Sequence, residues 1–181
     1  MPTLLTDVDF AEHLRTFTRT ACRLELQPVY LEPEEEATVA KFVDGQPEPP
    51  TEVPGLRSWF EQIAELTVAG KHVERVRVHE DLPTDYQRWE RWAGRWNTAA
   101  GETIRYMTRS QAHAIGLLPA AGDVDWWLLD SELLIMMMFD GDGHRTRNEL
   151  VADPLIVAQA QVWWDLAVRR STPDPDPSAA A

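Results

Sequence analysis

From Pro54 onward the chain repeats one pattern: a stretch with apolar residues at helical spacing, a glycine stop, then a short run in which every second residue is apolar. Leu56 to Val68 has the helical period, Ala69-Gly70-Lys71 ends it, and His72 to His79 alternates as a strand does. Pro83 opens a second helix with Tyr86, Trp89, Ala93 and Trp96 three or four residues apart, and Gly101 stops it before a strand over Glu102 to Thr108. Strands linked by helix-length connections pair in parallel and carry their helices across the sheet faces, so the pattern predicts an α/β fold.

The flanking segments extend this frame. Asp7 to Ala21 sets Phe10, Leu14, Phe17 and Ala21 on one stripe of a helix that Asp7 or Asp9 can cap. Arg23 to Tyr30 alternates Leu24 and Leu26 with Glu25 and Gln27, a half-buried strand that Pro28 places at an edge or an end. Glu32-Pro33-Glu34-Glu35-Glu36 suits the first turn of a short helix, and the prolines between Gly45 and Pro54 make an extended connector. After a short helix over Ser110 to Gly116, the apolar runs Trp126 to Leu129 and Leu133 to Phe139 read as consecutive strands, followed by a polar strand near Thr146 to Val151. Pro154 starts a last helix with a basic final turn. The expectation is one domain over 1–170, an N-terminal helix-strand extension at 1–53 and a core at 54–170, with about six strands and helices on both faces. Ser171 to Ala181 is a Pro/Asp/Ala tail expected to be disordered.

Charge narrows the function. Lys+Arg 17 against Asp+Glu 30 gives a net charge of -13, and such a field repels phosphate backbones and anionic lipid, so direct nucleic-acid binding is not expected. No run approaches the ~18 apolar residues of a membrane span, and the N-terminus has no signal-like segment, which predicts a cytoplasmic protein. Cys22 stands alone and reads as a small buried residue, the five histidines never pair at ligand spacing, and no metal or cofactor is assigned.

The order of elements from Ser58 to Val168, with Arg75-Val76-Arg77-Val78, Gly101-Glu102-Thr103-Ile104-Arg105 and Asp125-Trp126-Trp127-Leu128-Leu129-Asp130, resembles one half of a phospholipase D-like domain. Together with Cys22-Arg23-Leu24-Glu25, these strings also resemble an actinobacterial family of unassigned function whose members are often encoded beside helix-turn-helix regulators. The first resemblance implies a phospholipase D-like sandwich with a His-x-Lys-x4-Asp element. Set on Asp130, that element puts Asp125 at its Lys and Asp123 at its His, so the site reads as degenerate and the chain as no enzyme. The second implies a non-catalytic regulatory or interaction protein acting with a helix-turn-helix regulator. Because phospholipase-like halves pair, a homodimer or heteromer is expected.

A different reading comes from the basic residues. Arg75, Arg77 and His79 alternate on one strand face, Arg105 and Arg109 follow on the next strand, and Tyr86 lies nearby, so these six are candidates to hold a small anionic ligand at strand ends. Asp123, Asp125, Asp130, Asp140 and Asp142 fit no cation-binding loop and read as carboxylates on strand ends. Of the adjacent pairs Trp126-Trp127 and Trp163-Trp164, one member each must face a second layer or a partner, with Met136, Met137 and Met138 close by.

Overall fold

The computed structural model describes residues 1–173. Its eight strands are β1 (Thr3–Leu5), β2 (Thr20–Glu25), β3 (His72–His79), β4 (Thr103–Thr108), β5 (Asp125–Leu129), β6 (Leu133–Phe139), β7 (Arg145–Val151) and β8 (Thr172–Pro173). They form one sheet in the order β1-β7-β6-β5-β2-β3-β4-β8. β2, β3 and β4 are parallel, and every other pairing is antiparallel. The helices are α1 (Asp7–Thr16), α2 (Pro33–Val43), α3 (Pro54–Val68), α4 (Asp85–Ala100), α5 (Arg109–Ala114) and α6 (Pro154–Arg170).

The helix boundaries follow local chemistry. α4 begins in a capping box, in which the Thr84 hydroxyl accepts from Gln87 N and the Gln87 side chain accepts from Thr84 N, and it ends on Gly101 at φ 109. α1 is capped by Thr6, with Asp9 completing the box, and not by Asp7 or Asp9 themselves. A hydroxyl one residue upstream meets the free N–H groups of the first turn, which a side chain already inside the helix does not reach in the same way.

The centre of one face of the sheet is apolar. Cys22, Leu24, Val76, Val78, Trp126, Leu128 and Leu134 pack there against α5 and against Val157, Ala160, Trp164 and Ala167 of α6. Each fully buried aliphatic side chain contributes about 1.5–3 kcal/mol. The Cys22 thiol is pushed up to about 12 by burial, the inert behaviour expected of it. On the other face α1 and α3 cover Ala21, Val73, Trp127, Leu129, Ile135 and Met137, while α2 packs on α3 and α4. Trp126 and Trp127 therefore point into two different layers of one chain, each almost wholly buried.

Several expectations change. β2 is a central strand between β3 and β5, not an edge, and it ends at Glu25, before the Pro28 loop. Its polar residues suggested a solvent face, but both of its faces are covered. The first 53 residues are built into the sheet and its helical layer rather than appended to it. Eight strands replace about six, because three-residue β1 and two-residue β8 are too short to carry a period. Thr172 and Pro173 pair with β4, whereas the rest of the expected disordered tail, 174–181, lies outside the described residues.

Candidate functional site

The parallel register of β2 and β3 sets Arg23 beside Arg75 and Glu25 beside Arg77, so the pleat turns all four toward α3 and α4. Their side chains close an ionic layer where the opposite face is aliphatic. Glu25 Oε1 accepts from Arg75 Nη1 at 2.8 Å and lies 3.1 Å from Arg23 Nε, and its Oε2 accepts from Arg77 Nε at 2.6 Å. Arg75 Nε also donates to Glu102, which accepts from Asn97 Nδ2 at 2.7 Å. Arg77 Nε lies 3.2 Å from Glu90 Oε1, and its Nη1 donates to the Glu90 carbonyl. Burial opposes ionisation of Glu25, but Arg23, Arg75 and Arg77 outweigh it and hold the carboxyl far below the usual carboxylate range. Three guanidinium groups thus meet four buried carboxylates, Glu25, Glu90, Glu102 and Asp125, and the layer is neutralised from within.

Aromatic rings interleave with these cations. The Arg23 guanidinium lies 5.5 Å from the ring centroids of both Tyr30 and Trp127, and Arg75 lies 5.3 Å from Trp127 and 5.2 Å from Trp59. The sequence Tyr30, Arg23, Trp127, Arg75, Trp59 is a continuous alternating stack, in which each desolvated contact contributes about 1–2 kcal/mol. Gly94 lets α4 approach this layer closely: a Cβ there would lie 2.9 Å from the Tyr106 hydroxyl and 3.4 Å from Arg77 Nη1.

Above the ionic floor is a cavity of ≈ 300 Å³ between the sheet and α1, α3 and α4, with Glu32, Glu34 and Glu35 of the α2 region at its rim. Trp59, Trp89 and Trp127 all line it, and the indole N–H of each is buried without an acceptor among the described residues. Glu35 is raised to about 7 by burial, against the Tyr86 hydroxyl, which donates to it at 2.6 Å. No Ser, Thr, Cys, Lys or His is among the described residues that line the cavity.

Of the candidates from the sequence, Arg75, Arg77 and Tyr86 line this cavity. His79 shares their strand face but sits outside the lining, its Nε2 3.0 Å from Glu90 Oε2 and its ring edge-on to Tyr106. Arg105 and Arg109 do not converge with them. The register pairs Arg105 with Val76, so its side chain leaves by the opposite face and donates to Ser171 Oγ at 3.0 Å and to the Ser171 carbonyl at 2.6 Å. Arg109 starts α5 and donates to Glu80 at 2.7 Å and to the Leu26 carbonyl, tying together the ends of β2 and β3. The sequence reading missed Arg23, Glu25, Trp59 and Trp127 as one group. Their signal is charged residues alternating with apolar ones in two strands that pair in register.

The three aspartates of the motif positions do separate structural work. Asp123 is exposed in the loop before β5. Asp125 is fully buried, accepts from Leu26 N at 2.9 Å and from the Tyr30 hydroxyl at 2.5 Å, and is raised to about 6 by burial. Asp130, at φ 54, accepts from the backbone N–H of Thr18, Arg19 and Thr20 at 2.6–2.9 Å and joins the start of β2 to the end of β5. Asp140 and Asp142 stand apart from these three, in an exposed turn with His144.

No helix among the described residues is long and apolar enough to cross a membrane. The sequence matches the family model described as "Domain of unknown function (DUF6879)" over residues 8–176. No curated protein matches it. Among solved structures it is similar to Nuc from Salmonella typhimurium, a phospholipase D family member, with a TM-score of 0.57 and 7% identity over 97% of this chain and 100% of that one. NucT from Helicobacter pylori aligns with a TM-score of 0.55 and 7% identity over 96% of this chain and 97% of that one. At such identity the likeness establishes the fold: an α/β sandwich of phospholipase D type.

Proposed function

The chain belongs to the domain family of unknown function DUF6879, and on that premise we propose that it is a non-catalytic small-molecule sensor built on a phospholipase D-like fold. The carrying observation is the ≈ 300 Å³ cavity, lined by the aromatic residues Tyr30, Trp59, Tyr86, Trp89 and Trp127. Two further observations support a binding role without turnover. No serine, threonine, cysteine, lysine or histidine lines the cavity among the described residues, and burial raises the Tyr30 and Tyr86 hydroxyls well above their ordinary range, away from the nucleophilic phenolate. Asp123 and Asp125 stand where the phospholipase resemblance calls for His and Lys, and Asp125 is committed to holding the β2 loop.

Arg75 and Arg77 are engaged by internal carboxylates, so they are part of the cavity floor and not uncommitted charges for an anion. The proposal includes a cytoplasmic role with a helix-turn-helix regulator. A net charge of -13 favours a basic partner and weakens that partner's hold on DNA by competition. The cavity then supplies such a pair with a small-molecule input.

A thermal-shift screen with mixed metabolites tests the reading. A ligand at 100 times its Kd stabilises by about 2.7 kcal/mol, a shift of roughly 5–10 °C in a domain of this size. Ala93→Leu, which fills the cavity from α4, should abolish that shift while leaving the circular dichroism spectrum unchanged. A ligand-induced shift that survives Ala93→Leu, or turnover of a generic phosphodiester by the purified protein, overturns the proposal.

A further inference from the structure

We infer that α2 is a lid over the cavity, latched by the Glu35–Tyr86 hydrogen bond and released as pH rises; the inference rests on the pocket reading above and names how that pocket is gated. The first observation is position. Glu32, the N-cap of α2, and Glu34 and Glu35 of its first turn line the cavity with Leu56 and Trp59 of α3 and Tyr86 and Trp89 of α4. The second is attachment. Only Thr38 of the eleven residues of α2 is buried, against seven of sixteen in α4, and no side chain caps its N-terminus. Among the described residues no ion pair joins α2 to the sheet or to another helix, since Lys41 pairs with Glu48 of the connector that follows. What holds it is a small aromatic contact, Phe42 against Trp92 at 5.5 Å with Val39 beside them, and the Tyr86 hydroxyl donating to Glu35 at 2.6 Å. Few buried groups and few bonds to the body are the marks of an element that opens locally. The chain enters α2 from Leu31, whose N–H donates to the Gly143 carbonyl at 2.9 Å, and leaves it at Gly45, φ 73, into residues 46–49, which belong to no helix or strand. A fixed point on one side and an irregular connector on the other let the helix swing as a unit.

The third observation is the chemistry of the latch. Burial raises the Glu35 carboxyl to about 7, and Glu90 of α4, Glu32 of its own helix and Glu25 of β2 add to the rise. No cation answers it. Arg23, Arg75, Arg77 and Arg145 line the same cavity, but Arg23 pairs with Glu25 and Asp125, Arg75 with Glu25 and Glu102, Arg77 with Glu25 and Glu90, and Arg145 with Asp7. On the α3 side Arg57 Nε is turned to the Thr51 carbonyl, and the residue against α2 is the uncharged Gly55, where a Cβ would lie 2.5 Å from Glu34 Cγ. Tyr86 is itself held well above its ordinary range by burial and remains a donor. With the lid shut, an ionised Glu35 is an uncompensated charge among other carboxylates; with it open, water solvates that charge. The shut form therefore binds a proton that the open form releases. Closure is fully supported below about pH 4.5 and weakens as pH rises through 7, by up to about tenfold for each further pH unit. A small molecule under α2 is enclosed in mild acid and exchanges freely above neutrality.

Amide hydrogen exchange of the ligand-free protein tests this, read as protection relative to the intrinsic rate at pH 6 and pH 8.5, with and without low urea. The amides of α2 should be protected at least about tenfold less than those of β3 and should respond little to urea, the behaviour of a local opening. Between the two pH values α2 protection should fall about tenfold or more in the wild type and stay constant in Glu35→Gln, which keeps an acceptor for Tyr86 and cannot ionise. Gly55→Ala sets a methyl group against Glu34 and should lower α2 protection at both pH values, an independent release of the lid. If α2 shares the protection and urea dependence of β3, it opens only with the whole domain and the lid is overturned. An equal pH response in the wild type and Glu35→Gln overturns the latch. Neither measurement uses a ligand, so a ligand found by the metabolite screen while α2 opens only globally overturns the lid and leaves the pocket reading intact.

Discussion

Replacing Glu25 with alanine should cost about 3–5 kcal/mol of folding stability, because the substitution removes the carboxylate that three buried guanidinium groups share and leaves each with a single carboxylate partner. Arg23 and Arg77 stay charged in the fold: burial works against both, and Glu25 with its fellow carboxylates outweighs it. Without Glu25 the layer falls from four carboxylates against three cations to an arrangement in which Arg23 keeps only Asp125, at 3.4 Å. A domain stable by ~5–15 kcal/mol is left marginal by such a loss, and Tm should fall on the order of 10 °C. The comparison is Glu12→Ala, which breaks the exposed pair with Arg15 and should cost no more than about 0.5 kcal/mol. Urea denaturation of both variants checks this. Equal losses would mean that the buried layer is no more than a surface-type ion pair.

Glu35→Gln should do the opposite and stabilise the domain above neutral pH. Burial raises Glu35 from 4.5 to about 7, so the folded state holds a proton that the unfolded chain releases. The stability this confers is complete below about pH 4.5 and is lost as pH rises through 7. Asp125, raised from 3.8 to about 6, acts in the same direction over a lower window. Glutamine keeps an oxygen for the Tyr86 hydroxyl and removes the titration. With allowance for the solvent that reaches this partly buried side chain, the gain at pH 8 should be on the order of 2 kcal/mol, vanishing near pH 4. Denaturation at pH 5 and pH 8 reads it directly: the wild type should lose more stability than the variant across that interval. Parallel losses would place Glu35 ionised in solution at neutral pH. A stabilising change at a cavity rim is the pattern of a group held in place for binding rather than for folding.

Buried ion pairs contribute little net stability compared with well-packed aliphatic residues, and the opposite face of this same sheet shows that such packing is available to the chain. The ionic layer is better understood through the cavity above it. Arg75 binds its internal partners through Nε and Nη1 alone and is stacked between Trp59 and Trp127, so its guanidinium is a fixed, planar part of the pocket.

Much of this was legible from the chain. The glycine-punctuated helices and strands from Pro54, the apolar hairpin strands and the helices on both faces follow from local period and capping chemistry, which act within a few residues. Arg75, Arg77 and His79 could be placed on one face by alternation alone. Arg105 could not, because its side depends on which residue of β3 it pairs with, and a slip of one residue reverses every side chain. Glu25 escaped for a related reason. Its alternation with Leu24 and Leu26 is the same whether the polar face meets water or a second set of charges, and only the pairing of β2 with β3 decides between them. The cavity itself rests on α1, α3 and α4 converging with the loop before α2, contacts between segments that lie far apart in sequence.

The central claim is that the face carrying Trp127, and not the face carrying Trp126, receives a small molecule. A two-dimensional 15N–1H correlation spectrum resolves indole N–H groups individually, and the chain has eight tryptophans. On addition of a ligand found by thermal shift, the indole signals of Trp59, Trp89 and Trp127 should move, because their rings line the cavity. Those of Trp126 and Trp164, packed together on the opposite face at 6.4 Å between ring centroids, should stay in place. Movement of Trp126 and Trp164 with the other three unchanged would put the ligand elsewhere and contradict the account.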